Sequence, residues 1–165
     1  MAGIAHLGVG LAFKILAPEV PVLILIIGSY LLDIVFLVFM FAGLEELPQN
    51  DRVVESPWSH SLFMAVIWSV VATVVTTFII HDLYISLIMG LLVFSHWVID
   101  FIVSPMTYTF PNDTGKLLHP FGGSPKVGLG VMRTKIGVVL IEGGSLLLGC
   151  IIYLLTIIGQ ETIIW

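Results

Sequence analysis

Charge is the scarcest thing in this chain of 165 residues. Only six Lys or Arg and eleven Asp or Glu are present, 10% of the total, against roughly 25% in a soluble globular domain. So few charges cannot cover the surface of a soluble fold of this length. They also exclude a disordered acidic or basic segment and a basic nucleic-acid-binding surface, so no nucleic-acid partner is expected. Cysteine is nearly absent: Cys150 stands alone, which excludes an internal disulfide framework and leaves a small hydrophobe in an apolar run. A charged n-region and a small-residue cleavage site are missing from the N-terminus, so no removable secretory signal is expected there. What the chain has in abundance is apolar surface: 58% of its residues are hydrophobic and the mean hydropathy is +1.12. These numbers describe an all-α, polytopic membrane helical bundle, a single integral membrane domain over 1–165.

Four apolar stretches approach the ~20 residues that a helix needs to cross a hydrocarbon core: about 20–43, 57–80, 83–103 and 136–158. His81-Asp82 leaves room only for a turn, so the second and third spans form a tight helical hairpin. Residues 2–17 are apolar but short and glycine-rich, and carry Lys14; they read as an interfacial or re-entrant helix that ends at Pro18. Arg52, Lys116, Lys126, Arg133 and Lys135 fall in the two loops on one side, and Lys14 on the other. The positive-inside rule places those loops in the cytoplasm. The longer one, 104–135, is rich in Pro and Gly and reads as a lid-like segment.

A few ionisable residues interrupt the apolar runs. Asp33, His60, His96, Asp100 and Glu142 lie within spans, and His6 lies in the short N-terminal helix. Such groups cost free energy at membrane depth unless paired or hydrated, which makes them candidates for function. At ~1.5 Å of rise per residue, His60 and Asp100 lie about 5 Å in from the loop side, Glu142 about 9 Å, His96 about 10 Å and Asp33 about 15 Å. All four spans therefore contribute to one layer in the cytoplasmic half of the bilayer. His96 and Asp100 are spaced i, i+4, which puts them on one helix face. That spacing suits two ligands of one metal ion, and equally an imidazole that donates to a carboxylate. Two imidazoles and two carboxylates (His60, His96, Asp33 and Asp100) form a set for Zn²⁺, or for Mn²⁺ or Fe²⁺ at higher coordination. Glu142 could pair with Arg133 or Lys135 or act on a substrate, and His60 could be a hydrated interfacial residue. Ser59 and Ser61, at a span start, read as helix-capping hydroxyls.

At these residues the chain resembles the prokaryotic membrane-bound metal-dependent hydrolases, the YdjM-like inner-membrane family. The matching pieces are Ala5-His6-Leu7, Leu32-Asp33, Gly43-Leu44-Glu45, Ser59-His60-Ser61-Leu62, Phe94-Ser95-His96-Trp97-Val98-Ile99-Asp100, Val127-Gly128-Leu129-Gly130 and Glu142. Where many relatives continue with another histidine and aspartate, this chain has Ser104-Pro105-Met106, which favours a single ion. The resemblance implies a hydrolase of the prokaryotic inner (plasma) membrane. His60, His96, Asp100 and Asp33 would hold the metal, most simply Zn²⁺, with His6 behind them. Glu142 or Glu45 would be the general base. Lys126, Arg133 and Lys135 suit an anionic head group, so a phospholipid or lipid-linked phosphate or ester is the expected substrate. A small transporter or proton-pathway protein, working as a homo-oligomer, is the competing reading. A pathway, however, should spread its ionisable groups through the full membrane thickness rather than gather them in one half.

Overall fold

A computed structural model describes residues 3–45, 56–103 and 129–162. All regular structure among them is helical. In chain order it comprises α1 (Gly3–Ala12, continued by a 3₁₀ turn at Phe13–Ile15), α2 (Val22–Ser29), α3 (Leu31–Phe41), α4 (Pro57–His60), α5 (Leu62–Ile80), α6 (Leu83–Val103), a 3₁₀ turn (Val131–Arg133), α7 (Lys135–Val138), a π-helical turn (Val139–Gly143) and α8 (Gly144–Thr162). Three continuous segments are long and apolar enough to cross a membrane: Leu62–Ile80, Leu83–Val103 and Lys135–Gln160. A fourth exists if α2 and α3 together make one span.

α6 is the hub. Over its most apolar stretch 56% of residues are buried, against 6% for α5 and for the last span, so the other helices surround it and turn their outer faces to the solvent of the bundle. One cluster, Ala17, Val20, Leu25, Ile85, Ile88, Met89 and Leu92, joins α6 to α2 and the end of the N-terminal segment. A second, Leu32, Ala65, Val93 and Trp97, joins it to α3 and α5. Ala5 and Val103 pack with Ile99, Met132 and Ile141 in a third. The buried histidines and Asp100 lie among these three.

The expected first span is broken. α2 and α3 meet at an angle of 55° around Tyr30 (φ −100°, ψ 7°), whose N–H is shared between Ile26 and Ile27 carbonyls at 3.2 Å each. Irregular backbone at membrane depth persists only where neighbours satisfy its polar groups. Here the Ser29 carbonyl is met by Nδ1 of His96 at 2.7 Å. The expected second span is interrupted as well. Ser61 is extended (φ −70°, ψ 150°) and its hydroxyl accepts Met64 N–H at 3.2 Å, capping α5. His60 therefore sits on the separate turn α4, before the long helix begins.

The N-terminal helix is part of the bundle. Its Gly8 crosses Gly149 of α8 so closely that a Cβ on Gly149 would lie 2.1 Å from the Gly8 carbonyl oxygen, and one on Gly8 2.2 Å from the Ser145 carbonyl oxygen. Only glycine permits this backbone approach, the usual device for packing helices in lipid. Tyr84 at the start of α6 donates to Leu16 O at 2.9 Å, while the first turn of α1 lies by Glu142 and Tyr30. α1 thus runs from the buried histidines to the far end of α6. The tight hairpin turn forms at His81, which takes the left-handed conformation (φ 58°), and Asp82 Oδ1 accepts Ile85 N–H to start α6.

Candidate metal centre

Three local devices deliver the four donors. His96 and Asp100 project from one face of α6, both buried. Asp33 comes from the first turn of α3, where the helix dipole favours an anion. His60 ends the α4 turn that Ser61 separates from α5. Their atoms converge. Nε2 of His60 lies 3.2 Å from Nε2 of His96, and 3.4 and 3.6 Å from Asp33 Oδ1 and Asp100 Oδ2. Nε2 of His96 lies 3.7 and 3.6 Å from the same two oxygens. Five edges of a four-cornered figure thus fall between 3.2 and 3.7 Å. A tetrahedral zinc site with bonds of 2.0–2.1 Å has edges of about 3.3–3.4 Å.

Hydrogen bonding decides what these corners are. A carbonyl oxygen only accepts, so the contact from His96 Nδ1 to Ser29 O at 2.7 Å requires the proton on Nδ1. The Nε2 that faces the cluster is then a bare lone pair. His60 Nδ1 lies 2.7 Å from Ser59 Oγ, and that hydroxyl lies 2.9 and 3.1 Å from the two oxygens of Glu45. While Glu45 is ionised, Ser59 donates to it and accepts from His60 Nδ1–H, so His60 also turns a bare Nε2 inward. With both imidazoles neutral, two lone-pair nitrogens and two carboxylate oxygens face one another, an arrangement that positive charge makes favourable, either a metal ion among them or a proton on one imidazole. Asp33 Oδ1 and Asp100 Oδ1 are buried without a hydrogen-bond partner among the described residues, and buried polar atoms of folded proteins seldom lack one. The groups can hold a metal ion, and two carboxylates would neutralise a divalent one at low dielectric.

The two glutamates occupy supporting positions. Glu45, 3% exposed, accepts Trp58 and Ser59 N–H at 2.7 and 2.8 Å and so caps the start of α4. Burial raises its pKa, and the hydrogen bonds from Ser59 and Trp58 pull the other way. Its carboxylate reaches the centre through Ser59. Glu142 projects from the π turn, and its Oε2 accepts Ala5 N–H at 2.8 Å, holding the first turn of α1, where His6 sits. π turns often mark functional positions because they re-aim a helix face. His6 itself is 1% exposed, stacked on the His96 ring, with Nε2 3.6 Å from Asp100 Oδ1. Lys135 opens α7 and is exposed. Lys126 and the side chain of Arg133 lie outside the described residues, as does most of the expected lid, 104–128.

Ser59 does not cap a helix through its hydroxyl, as its place at a span start suggests it would. The capping task falls to Ser61, and Ser59 bridges an imidazole and a carboxylate instead. The adjacent Ser-His pair was a weak signal, and Glu45 fourteen residues upstream could not be paired with it by spacing. The role of the Ser29 carbonyl had no sequence signal at all. No family model, curated protein or solved structure matches the chain.

Proposed function

We propose that this protein is a membrane-embedded, metal-dependent hydrolase of the YdjM-like kind, seated in the inner membrane of a prokaryote. In this reading α2–α3, α5, α6 and the run from α7 to α8 are four spans, α1 is a re-entrant element, and the centre lies in the cytoplasmic half of the bilayer. The observation that carries it is the convergence of His60, His96, Asp33 and Asp100 as four acceptor atoms at ligand spacing. A 2-His, 2-carboxylate set with near-tetrahedral edges suits Zn²⁺ best, with Mn²⁺ or Fe²⁺ served by added water ligands.

By taking a fifth ligand beside the four protein atoms, a bound ion of this kind would polarise a phosphoryl or carbonyl oxygen or acidify a water molecule. The chain's own residues do the rest. Asp33 is the most open of the set, its side chain 19% exposed against 10% or less for the others, so substrate approaches over Asp33. Ser29 O and the Ser59–Glu45 pair orient the imidazoles, as outer partners of metal ligands generally do. Glu142 holds α1 over the centre. Lys135, with Lys126 and Arg133 as sequence neighbours of the same loop, supplies positive charge for a head group. A phospholipid or lipid-linked phosphate or ester is the substrate class that this location selects. The test is turnover of such lipids by purified protein in mixed micelles, with His96→Ala and Asp100→Ala beside the wild type. Activity lost in both folded variants is the expected result; undiminished turnover in either refutes the assignment.

A further inference from the structure

His6 cannot join the four-donor figure, and the reason is geometric. Its ring lies flat against that of His96, with centroids 3.7 Å apart and planes inclined by 4°. An imidazole binds a metal along its lone pair, in the plane of its ring. An ion in the plane of His96 therefore lies out of the plane of His6 by about the spacing of the stack. Yet His6 aims at the same carboxylate. Its Nε2 is 3.6 Å from Asp100 Oδ1, while Nε2 of His60 and of His96 are each 3.6 Å from Asp100 Oδ2. One carboxylate presents one oxygen to each of two parallel imidazoles.

A separation of 3.6 Å is too long for a hydrogen bond and matches the spacing of the other donors around the centre. Asp100 Oδ1 has no hydrogen-bond partner among the described residues, and neither has Nδ1 of His6. Both side chains are more than nine-tenths buried. His6 and Asp100 belong to a second group of ligand atoms within reach of one another, and the ring stack leaves His96 out of any ion that His6 binds.

We propose that His6 Nε2 and Asp100 Oδ1 hold a second divalent cation, with Asp100 bridging it to the ion held by His60, His96 and Asp33. This rests on the metal-centre reading above and changes its ion count from one to two. Each ion would lie in the plane of its own imidazole, so the two would occupy different planes of a stack whose ring centroids are 3.7 Å apart. Two-metal hydrolytic sites have their ions about 3.5–4 Å apart. The division of labour follows from the donors. The first ion is enclosed by four protein atoms. The second has two, so water or an anionic oxygen of the substrate would complete its coordination. Glu142, which fixes the first turn of α1 through Ala5 N–H, keeps His6 in register for this ion.

The experiment uses the full chain in detergent, stripped with chelator and reloaded with Mn²⁺ as the probe ion. Metal is counted by mass spectrometry, and coupling is read by electron paramagnetic resonance. The wild type should bind two Mn²⁺ per chain with an exchange-coupled spectrum. His6→Gln should bind one, with an uncoupled spectrum. One ion per chain in the wild type, uncoupled and unchanged by His6→Gln, overturns the second site and leaves the first. No bound ion in the wild type overturns the metal centre itself. If His6→Gln does not fold, the wild-type count and spectrum decide alone.

Discussion

Replacing Glu45 by glutamine changes one oxygen for an NH₂ group about two bonds removed from any ligand, yet it should disable His60. In the native chain Glu45 Oε1 takes Trp58 and Ser59 N–H at 2.7 and 2.8 Å, and Oε2 takes the Ser59 hydroxyl at 2.9 Å. Glutamine keeps the first acceptor, because the two backbone donors hold its carbonyl in place. Its NH₂ then points at Ser59 Oγ and donates. The Ser59 proton turns to His60 Nδ1, 2.7 Å away, and the imidazole proton moves to Nε2. That proton points into the cluster, against the ion. Loss of an outer partner generally weakens metal binding about 10–100-fold, or about 1.4–2.8 kcal/mol. At a metal concentration near 100 times the native Kd, binding stabilises the native fold by about 2.7 kcal/mol. The same concentration gives a hundredfold weaker variant about 0.4 kcal/mol. The assay is competition with a chromophoric chelator in detergent, supported by thermal melts with and without metal. Ser59→Ala should weaken binding in the same range, because it leaves His60 Nδ1 without its acceptor. Native affinity in Glu45→Gln, beside a clear loss in His96→Ala, would refute the relay and the tautomer assignment on which the centre rests.

Acid should act on the same switch. Burial raises the Glu45 pKa above its ordinary 4.5, so the folded metal-free chain takes up a proton there more readily than the unfolded chain does. That contribution to metal-free stability is full below the ordinary value and fades as pH rises through the raised one. Metal binding runs the opposite way, because protonated Glu45 donates as glutamine would. Affinity should therefore fall as pH drops through the raised pKa, and Glu45→Gln should flatten that limb of the profile in a pH-resolved titration. Gly149→Val places a Cβ 2.1 Å from the Gly8 carbonyl oxygen, so α1 must move. Overpacking of this kind costs about 1–3 kcal/mol, and a melt should show it together with reduced metal content, since His6 travels with α1. Gly143→Ala, where a Cβ meets nothing within 4 Å, is the control and should leave both unchanged. Chelation of the wild type should lower its melting temperature and leave that of Asp100→Ala unmoved; equal shifts would detach the metal from Asp100.

Hydropathy made the helical class and the apolar stretches legible because each is a property of consecutive residues. That Asp33, His60, His96 and Asp100 belong to one set was legible too, because the apolar runs hold so few other ionisable groups. What escaped was everything that depends on contact between distant segments. The break at Tyr30 follows Gly28-Ser29, a faint mark within an apolar run, and the group that meets the Ser29 carbonyl there is an imidazole 67 positions away. The placement of α1 against α8 depends on Gly8 meeting Gly149, and neither glycine names its partner. Ser59 and Ser61 look alike in sequence. Only the extended backbone at Ser61 decides which hydroxyl caps a helix and which one serves an imidazole.

The hub position of α6 has a consequence for the order in which the protein is made. His6, Asp33, His60, His96 and Asp100 all lie in the first hundred residues, and the helix that closes the set is α6. All five side chains are therefore synthesised before α8. α8 adds no donor; it arrives afterwards as a clasp, taking α1 at Gly8, while Glu142 of the π turn before it anchors the first turn of α1. A nascent chain halted after α6 should already carry the four-donor pocket, with its N-terminal arm still free to swing.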